Sequence, residues 1–380
     1  MGHLSYQTEL HSSWASIDPV EWDRLVGRSS PFLEHAFLWA LEASRSAGPE
    51  TGWQPQPITI RQGGDLVGAI PAWIVSHGEG QYVYEGHWER AVGETHALTP
   101  KLVVTVPFNP VTGPRLLRTS DSVLPTMLAA LHDASKHLAG WHVLFPDRRE
   151  AELLARGGAF VRTQFQFHWR NLSYPSWDHF LSSLKPHRRK EIQRERKKLV
   201  DLRFEVVESP DLETLDLVAR CYANTASRYE ALPQMNSAFF QQIGHTWKDR
   251  MVVAVAHDGE GPLGAALWVR WGDRLYGRVA GQLRPRPFLH FELCYYQSVQ
   301  YAIEHNIATI EPGHGGEHKF IRGFSPSHTY SAHHFTDPRL HRAFADHAPI
   351  EARAMNRWMK DLLDRTPYRD GAGTKGSAPG

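Results

Sequence analysis

Apolar positions along the chain switch between two periods, and the switches mark its elements. Asp18-Pro19 followed by Val20, Trp22, Leu25 and Val26 reads as a capped helix start, and residues 37–43 predict a second helix. Ile58-Thr59-Ile60, a Gly63-Gly64 turn and the run 66–75 predict a hairpin. Residues 120–138 carry a helical period and 141–144 a short strand. Residues 150–154 predict another helix, and 159–169, with alternating apolar side chains, a closing strand.

The second half repeats this order. Residues 212–222 and 238–247 predict helices, and 251–256 and 263–271 a hairpin turning at Asp258-Gly259. A third strand follows at 275–279. Residues 289–304 form a long helix with Leu293, Tyr296, Val299 and Ile303 on one face. Strands at 307–310 and 329–335 and a terminal helix at 338–363 complete the half. Leu66-Val67-Gly68-Ala69 echoes Pro262-Leu263-Gly264-Ala265, and each leads into a strand with a Trp (Trp73, Trp268), which points to a duplicated domain. Helices, an antiparallel hairpin, then strand, helix and strand resemble the order of the GNAT fold. The expectation is α/β (α+β): tandem GNAT-like domains over 1–172 and 173–366, each a mixed, mostly antiparallel sheet flanked by helices. Residues 367–380 are expected to be a disordered tail.

Composition narrows the partners. Lys plus Arg (42) nearly cancels Asp plus Glu (41), so any polyanion site is local. Cys221 and Cys294 are too few for a disulfide framework and are expected to be reduced, buried thiols. With no long apolar run and no signal-like N-terminus, a cytoplasmic protein without a membrane span is expected. Nothing in the sequence speaks to oligomeric state.

Three stretches carry candidate chemistry. Residues 185–198 place eight cations, among them Arg188, Arg189, Lys190 and Arg194, against Glu191 and Glu195, with only Ile192 and Leu199 as an apolar stripe. Such a helix is either a solvated charged surface or a grip for phosphate, whose oxygens match guanidinium forks. The loop Gln282-Leu283-Arg284-Pro285-Arg286-Pro287 lies between a strand and a helix start, where free N–H groups favour anions, so Arg284 and Arg286 are donor-binding candidates. Leu289-His290-Phe291-Glu292 and residues 311–319 follow neighbouring strands. Glu292, Glu311 and Glu317 are thereby expected to approach one cleft, with Glu292, Glu317 or His290 taking a proton from an attacking amine. His314 to His318 spells H-x-x-E-H, but Gly315 and Gly316 break the helix a zinc peptidase needs, so no metal is expected.

Taken together, the motifs resemble the FemAB-like family of N-acyltransferases, relatives of the Fem peptidoglycan aminoacyltransferases. The likeness covers roughly residues 30–355. It rests on Glu50-Thr51-Gly52-Trp53-Gln54-Pro55, Pro100-Lys101-Leu102 and the run 107–117. It continues through Gln166-Phe167-His168-Trp169 with Asn171, Arg194-Glu195-Arg196 and the run 289–297. Gly316-Glu317-His318-Lys319, Arg322-Gly323-Phe324 and Thr329-Tyr330-Ser331-Ala332-His333 complete it. Gly281-Gln282 stands where that family usually has Gly-Cys, and no coiled-coil arm is evident. The resemblance implies transfer of an acyl or aminoacyl group onto an amine by direct attack in a ternary complex. Acyl-CoA or aminoacyl-tRNA would be the co-substrate, with no tightly bound cofactor. Arg188, Arg189, Lys190, Arg194, Arg284, Arg286, Lys319 and Arg322 are then expected to hold phosphate, and backbone N–H groups of Val279, Ala280 and Gly281 the oxyanion. A phosphate-recognising binding protein, or a tRNA-binding module, is the alternative expectation.

Overall fold

The structure is a computed structural model and describes residues 5–83, 86–93, 98–228, 231 and 233–369. The chain divides into two compact units. One comprises Met1–Gln164 with His328–Asn356, the other Phe165–Ser327 with Arg357–Gly380. Where the sequence reading drew one boundary at 172/173, the chain passes between units three times.

In unit 1, β1 (Tyr6–Leu10), β3 (Ile58–Gln62), β4 (Asp65–Ile70) and β7 (Leu117–Arg118) form a four-stranded antiparallel sheet. The expected single strand 66–75 is broken at Pro71. Proline cannot donate to a ladder, and the chain beyond it, β5 (Ala72–Val75), pairs instead with β2 (Trp53–Pro55) and β6 (Lys101–Val104). β6 then runs parallel to β8 (Gly140–Leu144), joined through the helix Leu124–Ser135. Buried Ile58, Ile60, Leu102, Val104, Trp141 and Val143 pack with Met127 and Leu131 of that helix into one apolar cluster.

Unit 2 repeats the plan. β10 (Arg203–Glu208), β11 (Met251–Asp258), β12 (Gly261–Trp271) and β13 (Arg274–Gln282) are successively antiparallel. β13 is parallel to β14 (Thr309–Glu311), which pairs with β9 (Phe160–Arg170) at Arg170 and Trp169. Both units are thus mixed, mostly antiparallel sheets with flanking helices, as expected. β10 escapes the sequence reading because its charged residues hide the period. Tyr368, placed in the tail by sequence, is buried and donates its hydroxyl to Gly323 O at 2.5 Å. Residues 370–380 of that predicted tail lie outside the described residues.

Two features of unit 2 position the site. The parallel pairing of β13 and β14 covers only Arg274–Thr309, Leu275–Ile310 and Tyr276–Glu311, so β13 runs on without β14 beside it. The helix after β13 begins at Leu289 and contains one π-helical turn, Glu292–Tyr296, before Gln297–Glu304. Such turns insert one residue and rotate the side chains that follow. Leu293, Tyr296, Val299 and Ile303 are all buried, as the sequence period predicts.

Candidate functional site

The helix after β13 and the 3-10 helix Glu317–Arg322 after β14 bring six side chains together. His290, Cys294 and Tyr295 come from the first, and His318, Lys319 and Arg322 from the second. The Tyr295 hydroxyl lies 2.9 Å from His318 Nε2 and 3.4 Å from His290 Nε2, linking the two imidazoles. Cys294 Sγ is 3.5 Å from His290 Nδ1. Lys319 is buried and donates from Nζ to Gly313 O (2.8 Å) and His314 O (2.9 Å). It thereby pins the glycine-rich turn in which Gly313, Gly315 and Gly316 all adopt positive φ.

Desolvation sets the protonation states. It pulls His290 and His318 down to about 4, and the Lys319 and Arg322 charges push in the same direction. Both rings are therefore neutral at pH 7. Burial takes Lys319 down to about 8 and pushes the Cys294 thiol up to about 12, so Cys294 is no thiolate.

Behind this cluster lies a buried ionic layer. Arg322 donates to Glu195 Oε1 (2.6 Å), Tyr296 Oη (2.8 Å) and His318 O (2.7 Å), while its guanidinium covers the Phe291 ring at 3.6 Å. Tyr296 in turn donates to Glu195. Arg322 is thus tied to protein on all sides rather than offered to a phosphate.

The other predicted residues separate. The Glu292 carboxylate is buried under Arg196, which donates to Oε2 at 3.1 Å and Oε1 at 2.9 Å, and Gln297 also donates to Oε1. With both oxygens taken by a guanidinium, Glu292 holds the basic helix in place and is not poised as a base. Glu317 is exposed. Glu311 is buried and salt-bridged to Arg274 at 2.6 Å. Glu292 and Glu311 thus have separate partners and Glu317 faces out, whereas Tyr295 links His290 to His318.

The basic segment forms the helix Pro186–Lys197, docked through Ile192 and Leu199 as the sequence predicts. Arg188 pairs with Glu191, Arg189 is half-buried, and Lys190 and Arg194 are exposed. Arg284 is held by Asp258 (2.6 Å) and Glu260 (3.2 Å) at the hairpin turn. Arg286 bonds Asp201 (2.6 Å) and Lys198 O at the end of the basic helix. The two loop arginines therefore do not share one anion site.

Of Val279, Ala280 and Gly281, register singles out one. Gln282 is opposite Gly264, yet its N–H goes to Thr225 Oγ1 and not to β12. Strand alternation puts the N–H of Ala280 on that same far edge and turns those of Val279 and Gly281 toward β12. Gly281 is needed for packing: a Cβ there would lie 2.0 Å from Cys221 O.

Sequence reasoning missed Tyr295, His318 and Cys294. Cys294 lies one helical turn beyond His290, a spacing visible in sequence, but Tyr295 joins them only through the π-helical turn and His318 comes from another element. Among the described residues no cluster of three metal-ligating side chains occurs, and no helix is long and apolar enough to cross a membrane.

The sequence matches the FemAB-like family, described as peptidoglycan biosynthesis/recognition, over residues 13–370. No curated protein matches. Among solved structures the chain is similar to FemX, with 11% identity and a TM-score of 0.51 over 89% of this chain and 100% of that one. It is also similar to a tandem GNAT protein from the clavulanic acid biosynthesis pathway (11%, TM-score 0.46, 88% of this chain and 99% of that one). A further likeness is to L-PGS from Bacillus licheniformis (11%, TM-score 0.47, 90% and 98%). At such identities the FemX likeness speaks for the fold alone, and it agrees with the two mostly antiparallel, helix-flanked units. The family match runs through both units and through every side chain of the histidine cluster, and on that basis the chain belongs to the FemAB-like family.

Proposed function

We propose that the chain is a transferase that moves an aminoacyl or acyl group from an activated donor onto an amine, at the junction following β13 and β14. The observation that carries this reading is the pair of neutral imidazoles, His290 and His318, bridged by Tyr295 and set beside the cation Lys319. Amide formation needs those elements and little else. The amine nitrogen attacks the carbonyl carbon, and the negative charge that develops on oxygen is met by Lys319 and the Ala280 N–H. His290 takes the proton lost by nitrogen, Tyr295 and His318 share it, and the leaving oxygen or sulfur carries a proton away. Since esters and thioesters are already activated, holding the two reactants together supplies the larger part, about 7–11 kcal/mol.

The family description supports an acceptor in peptidoglycan synthesis. The exposed Lys190 and Arg194 support a phosphate-bearing donor such as aminoacyl-tRNA, with an acyl-coenzyme A thioester as the competing donor. Incubating the full chain with charged tRNA pools or acyl-coenzyme A mixtures, and with amine-bearing peptidoglycan precursors, tests the proposal by mass spectrometry. A new amide linkage is the expected product. If folded protein yields none with any pairing, the transferase reading fails.

A further inference from the structure

β14 and β9 are antiparallel, with Ile310 opposite Trp169 and Thr309 opposite Arg170, so the next positions, Glu311 and His168, face one another. Glu311 is 4% exposed and His168 7%. Glu311 Oε2 and His168 Nε2 lie 3.9 Å apart, and neither has a hydrogen-bond partner among the described residues. That separation is too long for a direct hydrogen bond, but it suits one donor group bonded to both atoms at about 2.8 Å each. A buried carboxylate oxygen and a buried imidazole nitrogen are both costly to leave unmet.

Within this pair it is the Glu311 carboxylate that favours a positively charged donor. Arg274 Nη1 bonds Oε1 only, at 2.6 Å, and that side chain is half-exposed, so its charge is screened by water while the Glu311 carboxylate is enclosed. An ionised carboxylate has capacity to accept further bonds on Oε2. Burial lowers the His168 pKa against the opposing pull of Glu311, and the charges of Arg170, Arg274 and Lys319 add to the lowering, so the ring stays neutral and able to accept. Tyr276 stands opposite Glu311 in the last register pair before β13 and β14 part, so this pair lies at the root of the splay.

We propose that Glu311 and His168 form a buried seat for a primary ammonium group, the amine of the acceptor in its protonated form. That the ammonium belongs to the acceptor rests on the transferase reading; the seat itself does not. Two N–H groups of the ammonium donate to Glu311 Oε2 and His168 Nε2.

The seat is tested on the full chain labelled with 15N-histidine, assigning the His168 resonance with His168→Gln. Methylammonium chloride is the probe, and tetramethylammonium chloride, equal in charge but lacking N–H, is the control. The His168 Nε2 resonance should move saturably with methylammonium, with affinity at least about tenfold above that for tetramethylammonium, as expected for charge-assisted hydrogen bonds. Glu311→Gln, whose amide oxygen can still accept from Arg274, should weaken methylammonium binding about tenfold or more. An unmoved resonance, equal response to both cations, or an undiminished response in Glu311→Gln would overturn the seat and leave an internal water as its occupant. If the variant does not fold, the contrast between the two probes in the unaltered protein decides alone. Because binding is read without a donor, a bound amine with no amide product would remove the transferase reading and keep the seat. Amide formation with no response at His168 would do the reverse.

Discussion

Glu292 and Arg196 meet in a two-pronged ion pair, Nη2 to Oε1 at 2.9 Å and Nε to Oε2 at 3.1 Å, on a carboxylate that is only 1% exposed. Arg196 also donates to Gln300 and lies over the Trp177 ring at 5.0 Å. The pair fastens the basic helix to the helix after β13. Glu292→Gln should therefore cost about 2 kcal/mol of stability, by removing one charge-assisted bond and leaving the guanidinium half-matched. Urea unfolding would show this. Activity per folded molecule should stay within a few-fold, and a collapse of turnover at full stability would return Glu292 to the chemistry.

The Glu195–Arg322 pair at 2.6 Å is buried on both sides, with Tyr296 bonded to each partner. Removing one charge strands the other in a medium that solvates it poorly. Arg322→Met should cost about 3–5 kcal/mol, and pairing it with Glu195→Leu should recover part of that loss. A double-mutant cycle by denaturant unfolding measures the coupling.

Stability should fall on mild acidification. His290, His314 and His318 titrate near 4 in the folded chain against 6.5 when free, so between those values the unfolded state binds more protons. The loss accumulates as pH drops from about 6.5 to about 4 and then stops. Lys319 acts at the other end: at about 8 against 10.5, its burial cost is fully present below 8 and disappears as pH rises toward 10.5. Urea melts at several pH values should show a shallower acid slope in His318→Asn than in the unaltered chain.

The same groups frame activity. Transfer should require neutral imidazoles and a charged Lys319, giving a plateau of kcat/KM bounded near pH 4 and near pH 8. Lys319→Met should abolish the alkaline limb together with most of the rate. A limb that persists unchanged in this variant would show that another group sets it.

Ala280 offers a backbone test. Proline there deletes an N–H that β12 does not use, so the sheet should tolerate it while kcat falls about 10²–10³-fold. Gly281→Ala is the opposite case. Its Cβ would strike Cys221 O, so folding should suffer first. Circular dichroism alongside kinetics separates the two outcomes.

What the sequence by itself determined was order and direction. The hairpin at 251–271, the buried face of Leu293, Tyr296, Val299 and Ile303, and the seam of Ile192 and Leu199 follow from local periods, which a chain carries wherever it folds. The junction after β13 and β14 was legible for the same reason. Tertiary structure alone decided which side chains meet there. Glu292 finds Arg196 at a sequence distance of 96 residues, and Glu195 finds Arg322 at 127, because a buried carboxylate must be paired wherever a guanidinium can reach it. With the acids so engaged, His290, Tyr295, His318 and Lys319 are left to share the cleft. No local period encodes that partition, since it depends on a π-helical turn and on elements brought together only by the folded sheet.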